Sequence, residues 1–248
     1  MTSENAVACG FGSNETSRRT VRIAELYQSV QGEGEYLGTP SVFLRTTGCN
    51  LRCWFCDTPF TSWQPEGSDV PLPELIDKLL GFDCEHVVIT GGEPLLPREI
   101  ESLTDALHQA GRFITIETAG TVFRPVSCDL MSISPKLANS TPAVDRSLRW
   151  AERHEQLRHH PEIIRDLIAR YRYQFKFVID QPADAAQVEA YLAALPEIDR
   201  TRVWLMPQAI SAIDLTEKSM WLEALAAEAG FRFTSRWHIA EFGNVRGR

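Results

Sequence analysis

Residues 48–57 read GCNLRCWFCD and place Cys49, Cys53 and Cys56 within eight positions of the chain. This Cys-x3-Cys-x2-Cys spacing lets three thiolates converge on one metal centre. Ordinary iron–sulfur clusters take four cysteines, and structural zinc takes four Cys or His ligands. The next cysteine, Cys84, lies beyond a predicted helix. The pattern therefore favours a [4Fe–4S] cluster with three protein ligands and one iron open to a further molecule.

Two other interpretations of the three cysteines remain open. They could form a zinc site that is completed from elsewhere in the chain, or one disulfide with a free thiol beside it. Zinc fingers and ribbons normally use two separated pairs of ligands. Disulfide frameworks are typical of short secreted chains. Neither pattern fits three cysteines in one loop as well as a cluster does.

Composition agrees with an intracellular enzyme, which we expect in the cytoplasm, and small substrates are the better expectation. Six cysteines without a regular framework suit a reducing compartment, and a formal charge of −8 disfavours nucleic acid as the main partner. No stretch is long enough to span a bilayer. Residues 1–19 are polar and lack the apolar core of a signal peptide, so we expect a flexible N-terminal tail. We expect residues 20–248 to form one domain.

Alternating strand and helix patterns predict an α/β fold, a partial (β/α) barrel with mostly parallel strands. The predicted strands are Val21–Tyr27, Ser41–Arg45, Val87–Thr90, Phe113–Glu117, Asp129–Ser134, Phe175–Ile179 and Arg202–Met206. The predicted helices are Pro73–Leu80, Arg98–Ala110, Ala183–Leu195 and Thr216–Ala229.

The segment 138–173 departs from this alternation because it is rich in Arg and Glu and contains His154, His159 and His160. A metal-binding histidine cluster is one interpretation. A charged helical insertion with its histidines on a solvated face is the one we favour, because runs of charge are usually exposed.

A second motif, Thr90-Gly-Gly-Glu-Pro94, follows a predicted strand and precedes a helix. Paired glycines let a ligand approach the backbone without meeting a Cβ, and parallel sheets bind ligands at the carboxyl ends of their strands. Alone, this motif is equally typical of a tight turn. Together with the cysteine loop it resembles the signature of the radical S-adenosylmethionine (SAM) enzymes. That resemblance implies that the open iron binds SAM, which one electron cleaves to a 5′-deoxyadenosyl radical.

Flanking residues resemble one family of radical SAM enzymes, the 7-carboxy-7-deazaguanine synthases. The resemblance rests on Gln31-Gly-Glu-Gly34, Arg45, Cys56-Asp-Thr58, Glu117-Thr-Ala-Gly120 and Ser132-Ile-Ser-Pro-Lys136. It implies conversion of 6-carboxy-5,6,7,8-tetrahydropterin to 7-carboxy-7-deazaguanine with loss of ammonia, a step toward queuosine and other deazapurines. It also implies a [4Fe–4S] cluster, SAM, Mg2+, an external one-electron reductant of the flavodoxin or ferredoxin type, and a homodimer.

The resemblance also implies roles for individual residues. The SAM-binding set is Phe55, Asp57, Gly92, Glu93, Ser134, Pro135, Lys136, Met206, Pro207 and Gln208. The substrate-binding set is Val30, Gln31, Gly32, Glu33, Arg45, Thr90 and His238. Thr58 is the implied Mg2+ ligand, although the charge of Asp57 would make it the better ligand in isolation. We add Glu117, at the end of its strand, as a candidate for positioning the ring or moving a proton.

Each substrate residue also has a structural interpretation. Arg45 offers a fixed fork for a carboxylate, but a lone arginine at a strand end is often a surface ion pair. Gln31 and Glu33 could form a polar turn, and residues 206–208 a plain strand-ending turn. Without the resemblance, His238 would be a hydrogen-bonded strand histidine. The end of the chain carries Arg246 and Arg248 and differs from the short apolar terminus of some relatives, so contacts from it are in doubt.

Two rival functions remain. A glycyl-radical-activating enzyme would share both cofactor motifs but leave Gln31-Gly-Glu-Gly34 unexplained. A zinc-binding or redox-sensing module would need no catalysis.

Overall fold

The computed structural model describes residues 19–247 and builds them around one sheet. The strands of this described part are β1 (Thr20–Val30), β2 (Pro40–Thr46), β3 (Ser68–Pro71), β4 (His86–Gly91), β5 (Phe113–Thr118), β6 (Leu130–Ile133), β7 (Tyr173–Ile179), β8 (Val203–Pro207) and β9 (Arg232–Phe233). Its helices are α1 (Pro59–Ser62), α2 (Leu72–Leu80), α3 (Ile100–Gln109), α4 (Val144–Leu157), α5 (Pro161–Arg170), α6 (Ala185–Ala194), α7 (Ala212–Glu228) and α8 (Trp237–Phe242). The tail expected over residues 1–19 lies outside these residues, except for Arg19.

The sheet has the strand order β3-β1-β2-β4-β5-β6-β7-β8-β9, with β3 and β9 at its edges. Strand β1 is antiparallel to β2 and β3, and all pairings from β2 to β9 are parallel. The sheet is not closed, which confirms the predicted partial barrel.

Burial explains why the central strands read as apolar runs. Every residue of β6 is buried, as are five of the six residues of β4, because a parallel sheet in this architecture is covered on both faces. The outer face packs on amphipathic helices, with Leu75 and Leu103 almost wholly buried. The polar residues that break these runs are therefore candidates for function.

Parallel register brings six loops to one edge of the sheet. Arg45 of β2 pairs with Thr90 of β4, and Glu117 of β5 pairs with Ser132 of β6. The carboxyl ends of these strands lead directly into the cysteine loop, the paired glycines and residues 134–136. Motifs that are distant in sequence thus meet at one place.

The interpretation of 138–173 as a solvated insertion is wrong in two respects. Helix α5 buries Ile164 and Leu167 in the main core, so it is the crossover helix between β6 and β7. His154 of α4 is fully buried. Its ring bonds the Ser140 hydroxyl at 2.8 Å and accepts the backbone N–H of Arg52 at 3.1 Å. These partners replace water, and no charge count of the segment reveals them.

The structure also corrects the prediction around His238. This residue lies in helix α8 and not in a strand. The predicted borders of the other elements fall close to the observed ones, although β1 extends to Val30 and α7 already begins at Ala212. Ser211 caps α7 by accepting the N–H of Asp214 at 3.2 Å, which is an ordinary start signal for a helix.

Candidate active site

A cavity of about 410 Å³ opens at the carboxyl edge of the sheet. It gathers most of the residues that the sequence singled out. The predicted residues on its wall are Val30, Gln31, Gly32, Glu33, Arg45, Cys49, Cys53, Phe55, Cys56, Asp57, Thr58, Thr90, Gly92, Glu117, Ser134, Lys136, Met206, Gln208 and His238. Three predicted residues, Glu93, Pro135 and Pro207, are not on the wall.

The cysteine loop is fixed by backbone contacts. Gly48 adopts a φ of 99° and donates its N–H to the Thr61 carbonyl at 2.8 Å, which sets the direction in which the chain enters the loop. The buried side chain of Leu51 anchors its middle. Ser62 lies 3.2 Å from the Cys56 sulfur. The three thiols consequently face one cavity from one loop.

Burial raises the pKa of the Cys49 and Cys53 thiols to about 12. The charge of a neighbouring thiolate also raises the pKa of these two thiols. A positive metal centre is what holds such buried groups as thiolates, because metal binding displaces their protons.

Within residues 19–247 no three His, Cys, Asp or Glu side chains are gathered closely enough to hold a single metal ion. One zinc ion would bring its thiolates to about 2.3 Å from a common point. In a [4Fe–4S] cluster each cysteine binds its own iron, so the sulfurs stay farther apart. Three thiols on one loop, with no fourth Cys or His within residues 48–57, suit a cluster that binds three cysteines.

Cys84 and Cys128 lie away from this cavity. The Cys84 thiol is directed at the carbonyl oxygens of Pro40 and His86. Cys128 packs against the core from the loop before β6. Cys9 lies outside the described residues.

The paired glycines pack closely against the protein, and both also line the cavity. A Cβ on Gly91 would lie 2.1 Å from the Thr46 carbonyl oxygen, and one on Gly92 would lie 2.1 Å from the Gly48 carbonyl oxygen. Gly91 also has a φ of 135°, which side chains rarely allow. The pair lets the end of β4 press against the start of the cysteine loop, where the Glu93 N–H bonds the Gly48 carbonyl at 2.9 Å.

Glu93 is fully buried and satisfied by the protein. Its carboxylate accepts the Thr118 hydroxyl at 2.7 Å and the N–H groups of Ala119 at 2.9 Å and Leu95 at 3.2 Å. Burial raises the pKa of Glu93. Its observed role is to tie the loop after β4 to the end of β5.

A buried ion network forms the floor of the cavity. The Lys176 ammonium of β7 lies 2.8 Å from Glu33 and 2.8 Å from Glu117. Glu33 also accepts from Arg236 at 3.1 Å. Despite burial, the two cations hold the pKa of Glu33 far below its usual range, and the two carboxylates raise the pKa of Lys176. Four charges are thus fixed in place before any ligand binds.

This network contradicts the interpretation of Gln31 and Glu33 as a polar turn. Gln31 is 3 % exposed and donates its amide to Glu117 at 3.3 Å. The two residues are therefore parts of a buried polar floor and not of an exposed turn. His238 lies next to Gly32, which is between these two residues in sequence: a Cβ added to Gly32 would be only 2.4 Å from the Nδ1 atom of His238.

Arg45 is neither a surface residue nor free. Its Nε donates to Glu25 at 2.8 Å, and one terminal nitrogen donates to the Tyr27 hydroxyl at 2.9 Å. The side chain is 17 % exposed and lines the cavity. The ion pair foreseen as an alternative exists, but it lies inside the cavity wall and leaves guanidinium N–H groups for another acceptor.

Asp57 and Thr58 differ in how far the protein already satisfies them. The Asp57 carboxylate pairs with Arg236, which lowers the pKa of Asp57 despite burial. The Thr58 hydroxyl has a weaker contact, 3.4 Å from the Thr61 hydroxyl. Of the two side chains, Thr58 thus has the oxygen with fewer strong contacts within the protein.

On the opposite wall, Lys136 donates to the Ser134 carbonyl at 2.8 Å and to its hydroxyl at 2.7 Å. Gln208 is held by Lys218, which donates to its side-chain oxygen at 3.0 Å. Met206 adds apolar surface to the same cavity. A ligand here would meet both cationic and apolar groups.

The end of the chain reaches the cavity. Residues 244–247 line its mouth. Arg246 bonds Glu25 at 3.2 Å and Glu66 at 2.9 Å, and its guanidinium lies 3.8 Å from the centre of the Phe60 ring. Arg248 lies outside the described residues. Of the two terminal arginines, Arg246 therefore contacts residues of the cavity wall.

Sequence reasoning missed Lys176, Arg236, Glu25 and Tyr27. Lys176 carried a usable signal, because a lysine within the apolar strand YQFKFVI is rarely buried without a partner. Glu25 and Tyr27 occupy alternate positions of β1 on the face that Arg45 uses. Arg236 had no local signal, since its partner Glu33 lies 203 positions earlier.

Comparison with known proteins agrees with this geometry. Residues 43–140 match the family model of the radical SAM superfamily. A 7-carboxy-7-deazaguanine synthase from Rhodopirellula baltica is 44% identical over 237 residues, which cover 95% of this chain and 92% of the relative. One from Halobacterium salinarum is 40% identical over 238 residues, covering 92% and 93%.

The crystal structure of QueE from Escherichia coli shares the fold, with a TM-score of 0.66 at 23% identity over 88% of this chain and 95% of QueE. Within the described residues, no helix is long and apolar enough to cross a membrane. The relatives do not favour a glycyl-radical-activating enzyme or a zinc module. The chain belongs to the 7-carboxy-7-deazaguanine synthase family of radical SAM enzymes, whose cofactors are a [4Fe–4S] cluster and SAM.

Proposed function

We propose that this protein converts 6-carboxy-5,6,7,8-tetrahydropterin to 7-carboxy-7-deazaguanine with release of ammonia, toward queuosine or another deazapurine. One observation carries the proposal: the three cysteines and the floor of Glu33, Lys176 and Glu117 face the same cavity. When bound, the cluster and SAM supply a 5′-deoxyadenosyl radical that removes hydrogen from C6 of the pterin. The protein residues bind and orient the two molecules.

The polar floor suits the pterin ring. The ring presents an amide and an amino group, whose N–H donors need acceptors in a dry site. The carboxylates of Glu33 and Glu117 are such acceptors, and both pair with Lys176. Gln31 and the backbone of Val30 and Gly32 complete this wall. His238 and Thr90 close the remaining sides.

Arg45 is positioned to hold the substrate carboxylate. Glu25 and Tyr27 occupy two of its donors and fix the plane of the guanidinium. A rigid, pre-oriented donor loses little entropy when it binds an anion. The charge of Arg45 is also only partly offset, since Arg246 shares Glu25.

Mg2+ is proposed to bind at Thr58 and at the substrate carboxylate. Magnesium retains several waters and needs few protein ligands, which agrees with a single hydroxyl. Asp57 is engaged by Arg236, so its carboxylate is better understood as a support for the loop and for SAM. The ion would act as a Lewis acid toward the substrate.

SAM is proposed to lie between the cysteine loop and the ends of β4, β6 and β8. Gly92 and Glu93 belong to the loop that would hold its amino group, although Glu93 would act by shaping that loop. Ser134, Pro135 and Lys136 would face its ribose and carboxylate. Met206, Pro207 and Gln208 would contact the adenosine, with Phe55 and Asp57 at the base of the cysteine loop.

We further propose a single domain over residues 20–248, because the cavity takes its walls from β1 through the last residues of the chain. A homodimer and an external one-electron reductant of the flavodoxin or ferredoxin type complete the proposal. The reaction is placed in the cytoplasm because the cluster thiols must stay reduced.

Anaerobic incubation with carboxytetrahydropterin, SAM and dithionite tests the function, with product identified by mass. The expected result is 7-carboxy-7-deazaguanine and one equivalent of ammonia. Cys49→Ala, Cys53→Ala and Cys56→Ala should lose iron and product, whereas Cys84→Ala and Cys128→Ala should keep both. Iron loss in the last two, or a product of a different mass, would overturn the proposal.

A further inference from the structure

A basic face lies beside the cysteine loop of this otherwise acidic chain. It consists of Arg52, Arg146, Arg149 and Arg153 with Trp54 and Trp150. Its neighbours Asp145 and Glu152 leave it two positive charges in excess, whereas the whole chain carries −8. Arg146, Arg149 and Arg153 are exposed. Such a reversal of sign on a local surface favours an acidic partner.

Three of the four arginines of the basic face lie over aromatic rings. The Arg52 guanidinium lies 4.1 Å from the centre of the Trp150 ring, and Arg153 lies 5.5 Å from the same ring on its helix. Arg146 stacks at 3.9 Å on Trp63. Stacking on aromatic rings fixes the guanidinium groups, so a partner would order few side chains on binding.

Helix α4 and the cysteine loop form one continuous surface. Arg52 donates to the Cys49 carbonyl at 2.7 Å, and the Trp63 indole donates to the Cys53 carbonyl at 2.9 Å. The buried ring of His154 joins α4 to the backbone of Arg52. A protein seated on the basic face would therefore contact the loop that carries the cluster ligands.

The two elements that carry the basic face also expose apolar side chains. Trp54 is 43 % exposed, Leu148 is 55 % exposed and Val144 is 62 % exposed. Aromatic and arginine side chains are enriched in protein–protein interfaces. The composition thus favours a protein partner over a small anion.

We propose that the basic face docks an acidic one-electron carrier protein, which reduces the cluster. The inference rests on the proposed function, in that the three cysteines must hold a cluster that accepts an electron. Charge complementarity identifies the partner as acidic, and the position of the face beside the cluster ligands identifies it as a redox protein. Only an electron crosses this interface; no bond is made or broken there.

The test compares two electron sources in the cluster-loaded enzyme. Reduced flavodoxin is the acidic probe, and dithionite is the small reductant that needs no docking. The variant is Arg149→Glu with Arg153→Glu. The matched control is Arg202→Glu with Arg232→Glu, which changes the net charge equally at the amino edge of the sheet. Both control arginines lie over an aromatic ring, as Arg153 does.

Reversal on the basic face should slow cluster bleaching by flavodoxin about tenfold or more and raise the apparent Kd for flavodoxin. Bleaching by dithionite should stay within about twofold of wild type, as should both rates in the control. Raised salt should slow wild-type reduction by flavodoxin and hardly affect the variant.

Equal bleaching by flavodoxin in variant and wild type would overturn the inference, as would an equal loss in the control. So would a dimer that dissociates only in the basic-face variant, because a second copy would then cover this surface. If charge reversal lowers iron content, Arg149→Gln with Arg153→Gln gives the deciding measurement, with a smaller loss expected. Cluster bleaching is measured in the absence of the pterin substrate. Failure to form 7-carboxy-7-deazaguanine would therefore count against the proposed function and not against docking.

Discussion

The Lys176 ammonium lies 2.8 Å from a carboxylate oxygen of Glu117, although the two residues stand on different strands and 59 positions apart. Lys176 is 2 % exposed, and it also contacts Glu33. Removing one partner from such a buried pair leaves an uncompensated charge, which costs about 3–5 kcal/mol. The floor of the cavity is therefore both a binding surface and a point of high structural sensitivity.

Lys176→Met should lower both stability and turnover, because two carboxylates would lose their shared cation. We expect a fall in the free energy of unfolding of about 3 kcal/mol or more and a loss of product formation. Denaturant unfolding and kcat/KM measure the two effects. In Lys176→Met with Glu117→Gln, part of the stability should return while activity stays low. A single mutant as stable as wild type would show that the network is dispensable.

Arg45→Lys tests carboxylate recognition. Lysine keeps the charge but not the planar fork that Glu25 and Tyr27 orient. A charge-assisted hydrogen bond is worth about 1.5–3 kcal/mol, so kcat/KM for the pterin should drop about tenfold to a hundredfold. SAM binding should be unchanged. Arg22→Lys, on the exposed part of the same sheet, is the control. Wild-type kinetics in Arg45→Lys would restrict Arg45 to a structural role.

Much of the fold was predictable because it depends on local patterns. Central strands such as Val87–Thr90 are apolar without interruption since both faces are covered, and Gly111 and Gly230 mark helix ends through their positive φ. The cysteine spacing and the glycine pair likewise belong to short stretches. Their positions at strand ends then followed from parallel topology.

The remaining features depend on partners that are remote in sequence. Arg236 meets Glu33 across 203 positions, and His154 is buried through contacts with two other segments. No periodicity within either segment carries that information. The close packing of the glycines was missed for a similar reason: their neighbours are carbonyl groups of the strand end and loop before them, which only the assembled fold brings near.

Gly92→Ala should impair the cysteine loop. The new Cβ would stand 2.1 Å from the Gly48 carbonyl oxygen, so one backbone segment must move. We expect reduced iron incorporation after anaerobic reconstitution, together with a lower melting temperature. Gly81→Ala is a matched control, because its Cβ would approach the nearest atom only to 3.3 Å. Full iron content in Gly92→Ala would show that the cysteine loop can shift to accommodate the new Cβ.

His86 should make stability depend on pH. Burial lowers its pKa to about 4, whereas the unfolded chain returns it to about 6.5. Between these values the unfolded chain binds more protons. The stability from neutral His86 is therefore complete above pH 6.5 or so and is lost as the pH falls toward about 4.

The melting temperature of His86→Gln should thus decline less steeply than that of wild type between about pH 7 and pH 5. Glutamine can still bond Ser41 and Thr115, the partners of the ring at 3.0 and 2.8 Å. His108→Gln, at an exposed position of α3, should follow the wild-type slope. Parallel slopes for wild type and His86→Gln would show that this ring does not control the acid sensitivity.

The response of turnover to Mg2+ distinguishes Thr58 from Asp57 as the metal ligand. Thr58→Ala removes an oxygen that the protein barely uses, so product formation should lose most of its response to added Mg2+. Iron content and SAM cleavage should persist, because the ion is proposed to contact substrate and not the cluster. Turnover measured with and without a chelator gives the response.

Asp57→Asn should retain that response and instead lose stability, since Arg236 would keep only Glu33 as its buried carboxylate partner. If Thr58→Ala responds to Mg2+ as wild type does while Asp57→Asn fails to respond, the metal ligand is Asp57, and Arg236 must release its carboxylate when the substrate and ion bind.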